Sequence, residues 1–235
     1  MQVKLVADML DANSQLAGQN RKLFEERGIL SVNLMGCPGS GKTTILERTI
    51  EKLGKAYRIA VVLGDIFTTR DADRIAKLGI EAVQINTRGP RNLDAGMVSR
   101  ALQRLNLEGV DILFIENVGN LVCPAEFDLG EDIKVVVASA AGGHDKPAKY
   151  PLMFSECRVV ILNKVDLLPY MDFDMGRFIS DIRKLNPSAQ FFSTSTKTGQ
   201  GVNEWVEWLD SRIRSKARQL SFRGFEEAPG IVKNF

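Results

Sequence analysis

The run Gly36-Cys37-Pro38-Gly39-Ser40-Gly41-Lys42-Thr43 decides the fold of this chain. It follows an apolar segment, Leu30 to Met35, that predicts a buried strand, and it opens into residues 44–53, whose apolar side chains recur at helical spacing. A strand, a glycine-rich turn and a helix form the context in which the pattern G-x-x-x-x-G-K-[ST] binds phosphate. The sequence therefore predicts a nucleoside triphosphate site.

Each part of this run has a predicted role in binding the nucleotide. Glycines let successive backbone N–H groups point at the phosphates, and the start of the helix adds its positive end. Lys42 is expected to reach the outer phosphates, and the Thr43 hydroxyl is expected to bind Mg²⁺. The candidate nucleotide contacts in this segment are Gly36, Gly39, Ser40, Gly41, Lys42, Thr43 and Thr44.

Composition is typical of a soluble globular protein, with 44% apolar and 26% charged residues in 235. The 31 basic and 29 acidic side chains nearly balance, so nothing in the charge favours nucleic acid or membrane partners. No long apolar run and no signal peptide appear, and a cytoplasmic protein is expected. The three cysteines, Cys37, Cys123 and Cys157, form no C-x-x-C pair, which argues against a disulfide framework.

Short β-rich runs alternate with helical segments along the chain. This alternation predicts the α/β class and a P-loop NTPase architecture, with a mainly parallel β-sheet and helices on both faces. Residues 1–220 are predicted to form a single domain that starts with a helical extension at about 1–28, broken near Gly18 and ending at Gly28. Residues 221–235 lose the pattern and are predicted to be a flexible tail.

Polar residues follow the predicted strands, at the edge where parallel sheets bind ligands. Asp65 is expected in a magnesium shell, whereas Asp71 is interpreted equally well as a magnesium ligand or as a helix cap. Glu116 closes a buried strand and is the second expected magnesium contact, direct or through water, or it positions the attacking water. Gly119 would let its N–H meet the terminal phosphate. Lys42, Thr43 and Glu116 are therefore the candidate catalytic residues.

The run Asn163-Lys164-Val165-Asp166 indicates the base. The Asp166 carboxylate can accept both N–H groups of a guanine edge, a pair that adenine lacks. Asn163 is expected to fix the loop, and the aliphatic part of Lys164 is expected to cover the base. Ser195, Thr196 and Lys197 follow a later strand and are placed to supply backbone contacts to the guanine carbonyl. GTP and GDP, bound with Mg²⁺, are the predicted ligands.

Several long motifs together resemble the HypB family of hydrogenase nickel-incorporation GTPases. They are residues 116–125 (ENVGNLVCPA), 127–131 (FDLGE), 145–151 (DKPAKYP) and 163–169 (NKVDLLP). The resemblance, which extends from about residue 10 to about 210, implies a GTPase of the SIMIBI class that forms a homodimer when GTP is bound. It also implies that the protein works with the metallochaperone HypA to deliver nickel to the hydrogenase large subunit.

The family's G-domain metal site combines a Cys-His pair with the cysteine of the N-L-V-C-P-A run. This chain has Arg91 and Asn92 at the positions of that pair, and neither is a good ligand for nickel or zinc. Cys123 remains as the candidate nickel or zinc ligand, and we expect it to bind metal weakly or not at all. The sole histidine, His144, is interpreted as a solvated loop residue in preference to a replacement ligand.

Lys146 and Lys149 are candidate dimer contacts, because a cation in this proline-containing loop can project toward the partner's nucleotide. An exposed charge without a role is an equal alternative. Three functions stay open: a GTP-hydrolysing switch in nickel delivery, a GTP-gated dimeric docking module without its own metal site, and a maturation GTPase for a related metallo-enzyme such as urease.

Overall fold

Seven strands form one sheet in the part of the chain that the computed structural model describes, which is residues 2–66, 70–89 and 92–226, without the side chains of 2–8, 70, 123 and 221–226. The strands are β1 (Leu30–Met35), β2 (Ile59–Asp65), β3 (Glu81–Asn86), β4 (Ile112–Glu116), β5 (Ile133–Ser139), β6 (Val159–Asn163) and β7 (Gln190–Ser193). They pair in the order β3-β2-β4-β1-β5-β6-β7, and every pairing is parallel. The predicted parallel sheet is confirmed.

Helices connect these strands. They are α1 (Gln2–Arg27), α2 (Lys42–Leu53), α3 (Arg70–Ala76), α4 (Ala95–Leu102), α5 (Cys123–Glu126), α6 (Lys146–Lys149), α7 (Pro151–Ser155), α8 (Met175–Leu185) and α9 (Val202–Glu226). Short 3₁₀ turns lie at Ala140–Gly142 and Val165–Tyr170. The predictions missed α5, α6 and α7, because four- or five-residue helices are too short to show a period. No helix in the described ranges is long and apolar enough to cross a membrane.

The core lies on both faces of the sheet, as the near-continuous apolar runs of the strands predict. Helices α2, α3 and α9 cover one face, where Ile45 and Trp205 are fully buried. On the other face, α1 and α4 cover β2 and β4, while α7 and α8 cover β5 and β6. Strand β1 lies in the middle and is buried at all six positions, so the segment that follows it is held rigidly at its base.

Both chain-terminal predictions need adjustment. Helix α1 continues through Gly18, so the predicted break there is wrong, whereas the predicted end at Gly28, with φ +67°, is confirmed. Glycine costs only about 1 kcal/mol within a helix. Ala17 and Phe24, on either side of Gly18, are both buried, and Phe24 packs in the core cluster with β2 and β4. Helix α9 runs to Glu226, past the predicted boundary at residue 220. The remainder of the predicted tail, residues 227–235, lies outside the described residues.

Candidate nucleotide-binding site

The phosphate loop joins β1 to α2 and needs glycine at Gly41 for two reasons. Its φ of +97° is a backbone conformation that favours glycine, and a Cβ there would lie 2.3 Å from Nδ2 of Asn163. Helix α2 begins directly after it, at Lys42. The first backbone N–H groups of a helix have no intrahelical acceptor, so this end of α2 is suited to bind an anion.

Lys42 lies at the mouth of this loop and is buried. Its ammonium donates to the carbonyl oxygens of Gly36 (3.2 Å) and Cys37 (3.3 Å). Burial lowers the pKa of Lys42, and the charge of Glu116 opposes that shift. A desolvated cation whose hydrogen-bond partners among the described residues are neutral carbonyls is well suited to pair with phosphate.

Thr43 and Glu116 meet directly. The Thr43 hydroxyl donates to Oε1 of Glu116 at 2.7 Å, while Oε2 of the same carboxylate is buried with no hydrogen-bond partner among the described residues. Burial raises the pKa of Glu116 to about 7, and the Lys42 charge and the Thr43 hydrogen bond oppose the shift. An unpartnered buried carboxylate oxygen beside a hydroxyl is an incomplete site that a cation would complete.

Two further carboxylates line the same cleft as this pair. Thr43, Glu116, Asp65 and Asp71 all line one cleft of about 470 Å³, together with Lys42. Oxygen ligands of this kind are those that Mg²⁺ prefers in proteins. Thr43 and Glu116 therefore fit a magnesium ion that takes its other ligands from nucleotide phosphates and water. Asp71 lies in the first turn of α3 and accepts from Arg74 at 3.1 Å.

Gly119 closes the cleft against the phosphate loop. A Cβ at this position would lie 2.9–3.0 Å from atoms of Pro38, so only glycine allows this close approach. The neighbouring residue Asn120 donates its backbone N–H to the carbonyl of Gly36 at 3.1 Å. The segment after β4 and the phosphate loop are thus joined, and Gly119 borders the cleft. The contact of its N–H with the terminal phosphate stays a prediction.

Asn163 fixes the base loop to the phosphate loop. Its side chain is fully buried, donates to the carbonyl of Ser40 at 3.1 Å, and accepts from the Thr194 hydroxyl and the Thr196 amide, both at 3.3 Å. Lys164 takes a left-handed φ of +63° and donates its ammonium to the carbonyl of Gly39 at 2.7 Å. The predicted loop-fixing contacts of Asn163 are present, and Lys164 lines the cleft.

Asp166 is oriented by Ser195. The buried Ser195 hydroxyl donates to Oδ1 of Asp166 at 2.5 Å and accepts from the Thr198 amide at 3.2 Å. The Ser195 backbone N–H donates to the carbonyl of Gln200, so it is engaged within its own loop. The Thr196 amide donates to Asn163, so the expected backbone contact to guanine is left to Lys197, which is exposed.

The predictions missed two residues that support this site. Arg74 of α3 contacts both α2 and Asp71, and it borders the cleft. Asn117 accepts from the backbone N–H groups of Leu93 and Val118, at 3.1 and 3.0 Å, and so fixes the segment after Glu116. The i,i+3 spacing of Asp71 and Arg74 was the available signal for Arg74, whereas the Asn117 contact with Leu93 is long-range and leaves none.

The two cysteines whose side chains the structure describes, Cys37 and Cys157, do not line the nucleotide cleft. Cys37 packs against a core cluster on the other side of the phosphate loop, and Cys157 is buried, which raises its pKa to about 12. The Asn92 amide donates to the carbonyl of Leu93. His144 accepts from the Asp174 amide at 3.3 Å and packs edge-on against Phe173.

The structure describes only some of the residues at the predicted nickel or zinc site. Arg91 and the side chain of Cys123 lie outside the described residues, so the structure does not test Cys123 as a ligand. Among the residues it describes, no group of three or more His, Cys, Asp or Glu side chains is arranged to hold a metal ion.

The two candidate dimer contacts lie on α6. The Lys149 ammonium pairs with Asp145 in its own loop, and the Lys146 ammonium lies over the Tyr150 ring, 5.6 Å from its centroid. Both contacts are local. Their role between subunits stays a prediction.

The parallel sheet, the phosphate loop before α2 and the carboxylate at the end of β4 define the class of P-loop nucleotide-binding proteins. Residues 30–193 match the CobW/HypB/UreG nucleotide-binding domain family. The chain is 48% identical over 205 residues to the hydrogenase maturation factor HypB of Escherichia coli, covering 87% of this chain and 71% of the relative. It is 39% identical over 210 residues to the probable HypB of Methanocaldococcus jannaschii, covering 89% and 95% of the two chains.

A solved structure gives the same result. HypB from Helicobacter pylori in complex with nickel superposes with a TM-score of 0.83 at 37% identity, covering 87% of this chain and 96% of the other. This chain belongs to the HypB family of hydrogenase maturation factors.

Proposed function

We propose that this protein binds and hydrolyses GTP and that it uses the cycle to assist nickel insertion into a [NiFe]-hydrogenase. The observation that supports GTP most strongly is the Asp166 carboxylate, held by the Ser195 hydroxyl at 2.5 Å in the base loop, which Asn163 joins to the phosphate loop. A carboxylate acceptor fixed in place matches the paired N–H donors of guanine and leaves adenine without an equivalent pair. A site built around such hydrogen bonds discriminates strongly.

Hydrolysis is assigned to Lys42, Thr43 and Glu116. Lys42 brings a desolvated cation to the phosphates, where charge develops during phosphoryl transfer. Thr43 and Glu116 would hold Mg²⁺, with Asp65 and Asp71 at the same cleft. A bound magnesium ion neutralises charge on the outer phosphates. Glu116, with one oxygen unpartnered, also has an acceptor available for the attacking water.

Nickel delivery is proposed from family membership, because the H. pylori relative carries nickel in its structure. We propose that this chain acts as a GTP-bound homodimer with HypA and the hydrogenase large subunit, using Lys146 and Lys149 at the contact between subunits. Its own nickel or zinc site would be weak, since Asn92 hydrogen-bonds locally through its amide and leaves Cys123 without the family's second and third ligands.

Equilibrium dialysis of the reduced protein with Ni²⁺ and with Zn²⁺ tests the metal part of this proposal. We expect no stoichiometric binding tighter than a dissociation constant of about 1 μM, which is roughly 8 kcal/mol. Tighter binding that is lost in Cys123→Ala would contradict it. Cys37→Ala is the matched control, because that thiol packs against the core.

A related client is the second candidate. One H. pylori relative, 38% identical over 216 residues, is a hydrogenase/urease maturation factor. Capture of partners by the GTP-bound protein from its native cell distinguishes a hydrogenase subunit from a urease subunit. A GTP-gated docking module is distinguished from a nickel carrier by the dialysis experiment.

A nucleotide competition titration tests the GTP assignment. We expect GTP and GDP, with Mg²⁺, to displace a fluorescent guanine nucleotide at concentrations at which ATP has no effect. Equal competition by ATP would contradict the base assignment.

Single-turnover hydrolysis across a protein dilution series tests whether the GTP-bound homodimer is the active form. Turnover per chain should fall on dilution. Constant turnover from a particle shown to be monomeric would contradict the dimer proposal.

A further inference from the structure

Arg74 links the two helices that border the phosphate end of the cleft. It lies in α3, and its guanidinium contacts two residues of α2: Nε and Nη2 donate to the two carboxylate oxygens of Glu47 at 2.8 and 2.5 Å, and Nη2 also lies 3.2 Å from the Thr44 hydroxyl. On its other side, Nη1 donates to Oδ1 of Asp71 at 3.1 Å. One side chain therefore joins the helix of the phosphate loop to the carboxylate of α3.

The geometry of this contact is specific to arginine. Two parallel N–H···O bonds to one carboxylate use the planar fork of the guanidinium, which a lysine ammonium does not reproduce. Nε and Nη2 of the guanidinium bind Glu47, and the remaining nitrogen, Nη1, donates to Asp71. Arg74 thus connects Asp71 to α2, the same helix that carries Thr43.

Asp71 and Arg74 both border the nucleotide cleft, beside Thr43 and Glu116. We propose that Arg74 is a positioning residue for magnesium: held by Glu47, it fixes the Asp71 carboxylate toward the Thr43–Glu116 pair, so that the magnesium shell forms only when α3 lies against α2. This inference rests on the proposed Mg²⁺-dependent GTP binding and assigns a role within it to Arg74 and Glu47.

An ordinary surface ion pair is the competing interpretation, since exposed pairs contribute little. Arg48 and Glu51 on α2 provide that comparison within the same helix, with a single 2.9 Å contact between two half-exposed side chains. Arg74 differs in having three acceptor residues, in joining two helices and in bordering the cleft. Contacts that orient a metal ligand in this way typically change metal affinity by about 10–100-fold when removed.

A magnesium titration of the full chain tests the inference. The half-saturating Mg²⁺ concentration for GTP hydrolysis is measured for the wild type, Arg74→Lys, Glu47→Gln and the control Arg48→Lys. We expect increases of about tenfold for Arg74→Lys and Glu47→Gln and no change for Arg48→Lys. GDP affinity measured in EDTA should be the same in all four proteins, because the proposed role acts through magnesium.

Two results would overturn it. An unchanged magnesium requirement in Arg74→Lys and Glu47→Gln would reduce the contact to helix packing. A loss of GDP affinity in EDTA for Arg74→Lys as large as the loss in Mg²⁺ would show that Arg74 contacts phosphate itself.

A double-mutant cycle adds a second readout. If Arg74 acts through Asp71, then adding Arg74→Ala to Asp71→Asn should raise the magnesium requirement no further, whereas independent sites would show additive effects. Additive effects would contradict the inference. A wild-type protein that fails to prefer GTP, or needs no magnesium, would instead contradict the proposed function, so the two failures are distinguishable.

Discussion

The proposed nucleotide site has a base end, formed by the loops of Asp166 and Ser195, and a phosphate end, formed by the cleft around Thr43 and Glu116. The two ends are built differently. At the base end, Asp166 is already oriented by the Ser195 hydroxyl, and Asn163 ties that loop to the phosphate loop through buried hydrogen bonds. At the phosphate end, the Glu116 carboxylate is buried with one oxygen unpartnered, and its pKa is raised to about 7. The base end is complete within the protein, whereas the phosphate end needs a cation to complete it.

This difference assigns separate tasks to the two ends. Preformed hydrogen-bonding groups need no reorganisation on binding, so they give selectivity at low cost. A site that a cation completes responds to the magnesium-bound phosphates, and this is the end that differs between GTP and GDP. Selectivity for guanine should therefore come from the base end, and sensitivity to magnesium and pH should come from the phosphate end.

The largest expected effect is at Asp166. Asp166→Asn replaces one acceptor with a donor, so it should shift preference from GTP to xanthosine triphosphate by about ten-thousand-fold. Competition titrations with both nucleotides measure the shift. The control is Asp172→Asn, an exposed carboxylate. Retained GTP preference in Asp166→Asn would show that this end of the site does not hold the base.

Next is Lys42, whose ammonium is buried at the phosphate end. Lys42→Ala removes charge stabilisation of the transferring phosphoryl group and should slow single-turnover hydrolysis by about 10²–10³-fold. Preference for GTP over ATP should survive, because the base end is unchanged. Lys52→Ala, an exposed lysine of the same helix, serves as the control. Loss of base preference in Lys42→Ala would contradict the division of tasks.

The magnesium requirement should depend on pH through Glu116. The free carboxyl keeps its proton up to about pH 7, and magnesium binding must displace that proton. The half-saturating Mg²⁺ concentration should therefore fall about tenfold per unit as the pH rises toward 7, and level off above it. Titrations from pH 5.5 to 8.5 measure this, and a flat profile in the wild type would contradict it.

Glu116 also makes the stability of the folded protein depend on pH. Rising pH favours magnesium binding but lowers this folding stability. The Glu116 pKa is raised from an ordinary 4.5, so the folded protein holds a proton that the unfolded chain has released. The stabilising contribution of Glu116 is therefore present below about pH 4.5 and is lost as the pH rises through about 7. Glu116→Gln has no proton to lose, so it should gain thermal stability relative to the nucleotide-free wild type between pH 5 and 8, while its magnesium requirement no longer follows pH.

The smallest expected effect is at Ser195. Ser195→Ala removes the hydroxyl that orients Asp166, at a cost of about 1 kcal/mol, or roughly fivefold in GTP affinity. The magnesium requirement should not change. Ser188→Ala, an exposed serine, is the control. An effect on magnesium as large as the effect on GTP would show that the two ends are coupled.

The phosphate loop and the loop-fixing contact of Asn163 were predictable from sequence because they lie in short contiguous runs, whereas guanine binding at Asp166 stays a prediction. The strands were found from their apolar runs, and Leu30–Met35 matches β1 at both ends. The expectation that a glycine ends a helix was wrong where tertiary packing stabilises the helix. Helix α1 continues through Gly18, and residues on both sides of Gly18 are buried. Asn117 and Glu47 support the site through partners distant in sequence, which no local pattern shows.

One comparison tests the two-ended account most directly: the affinities of GDP and ADP, each measured in Mg²⁺ and in EDTA. Removal of magnesium should weaken both nucleotides. Their ratio should stay the same within about twofold, as expected for energetically independent sites, because the base end is complete without the cation. A ratio that collapses toward one in EDTA would contradict the account, because base selection would then depend on completing the phosphate end.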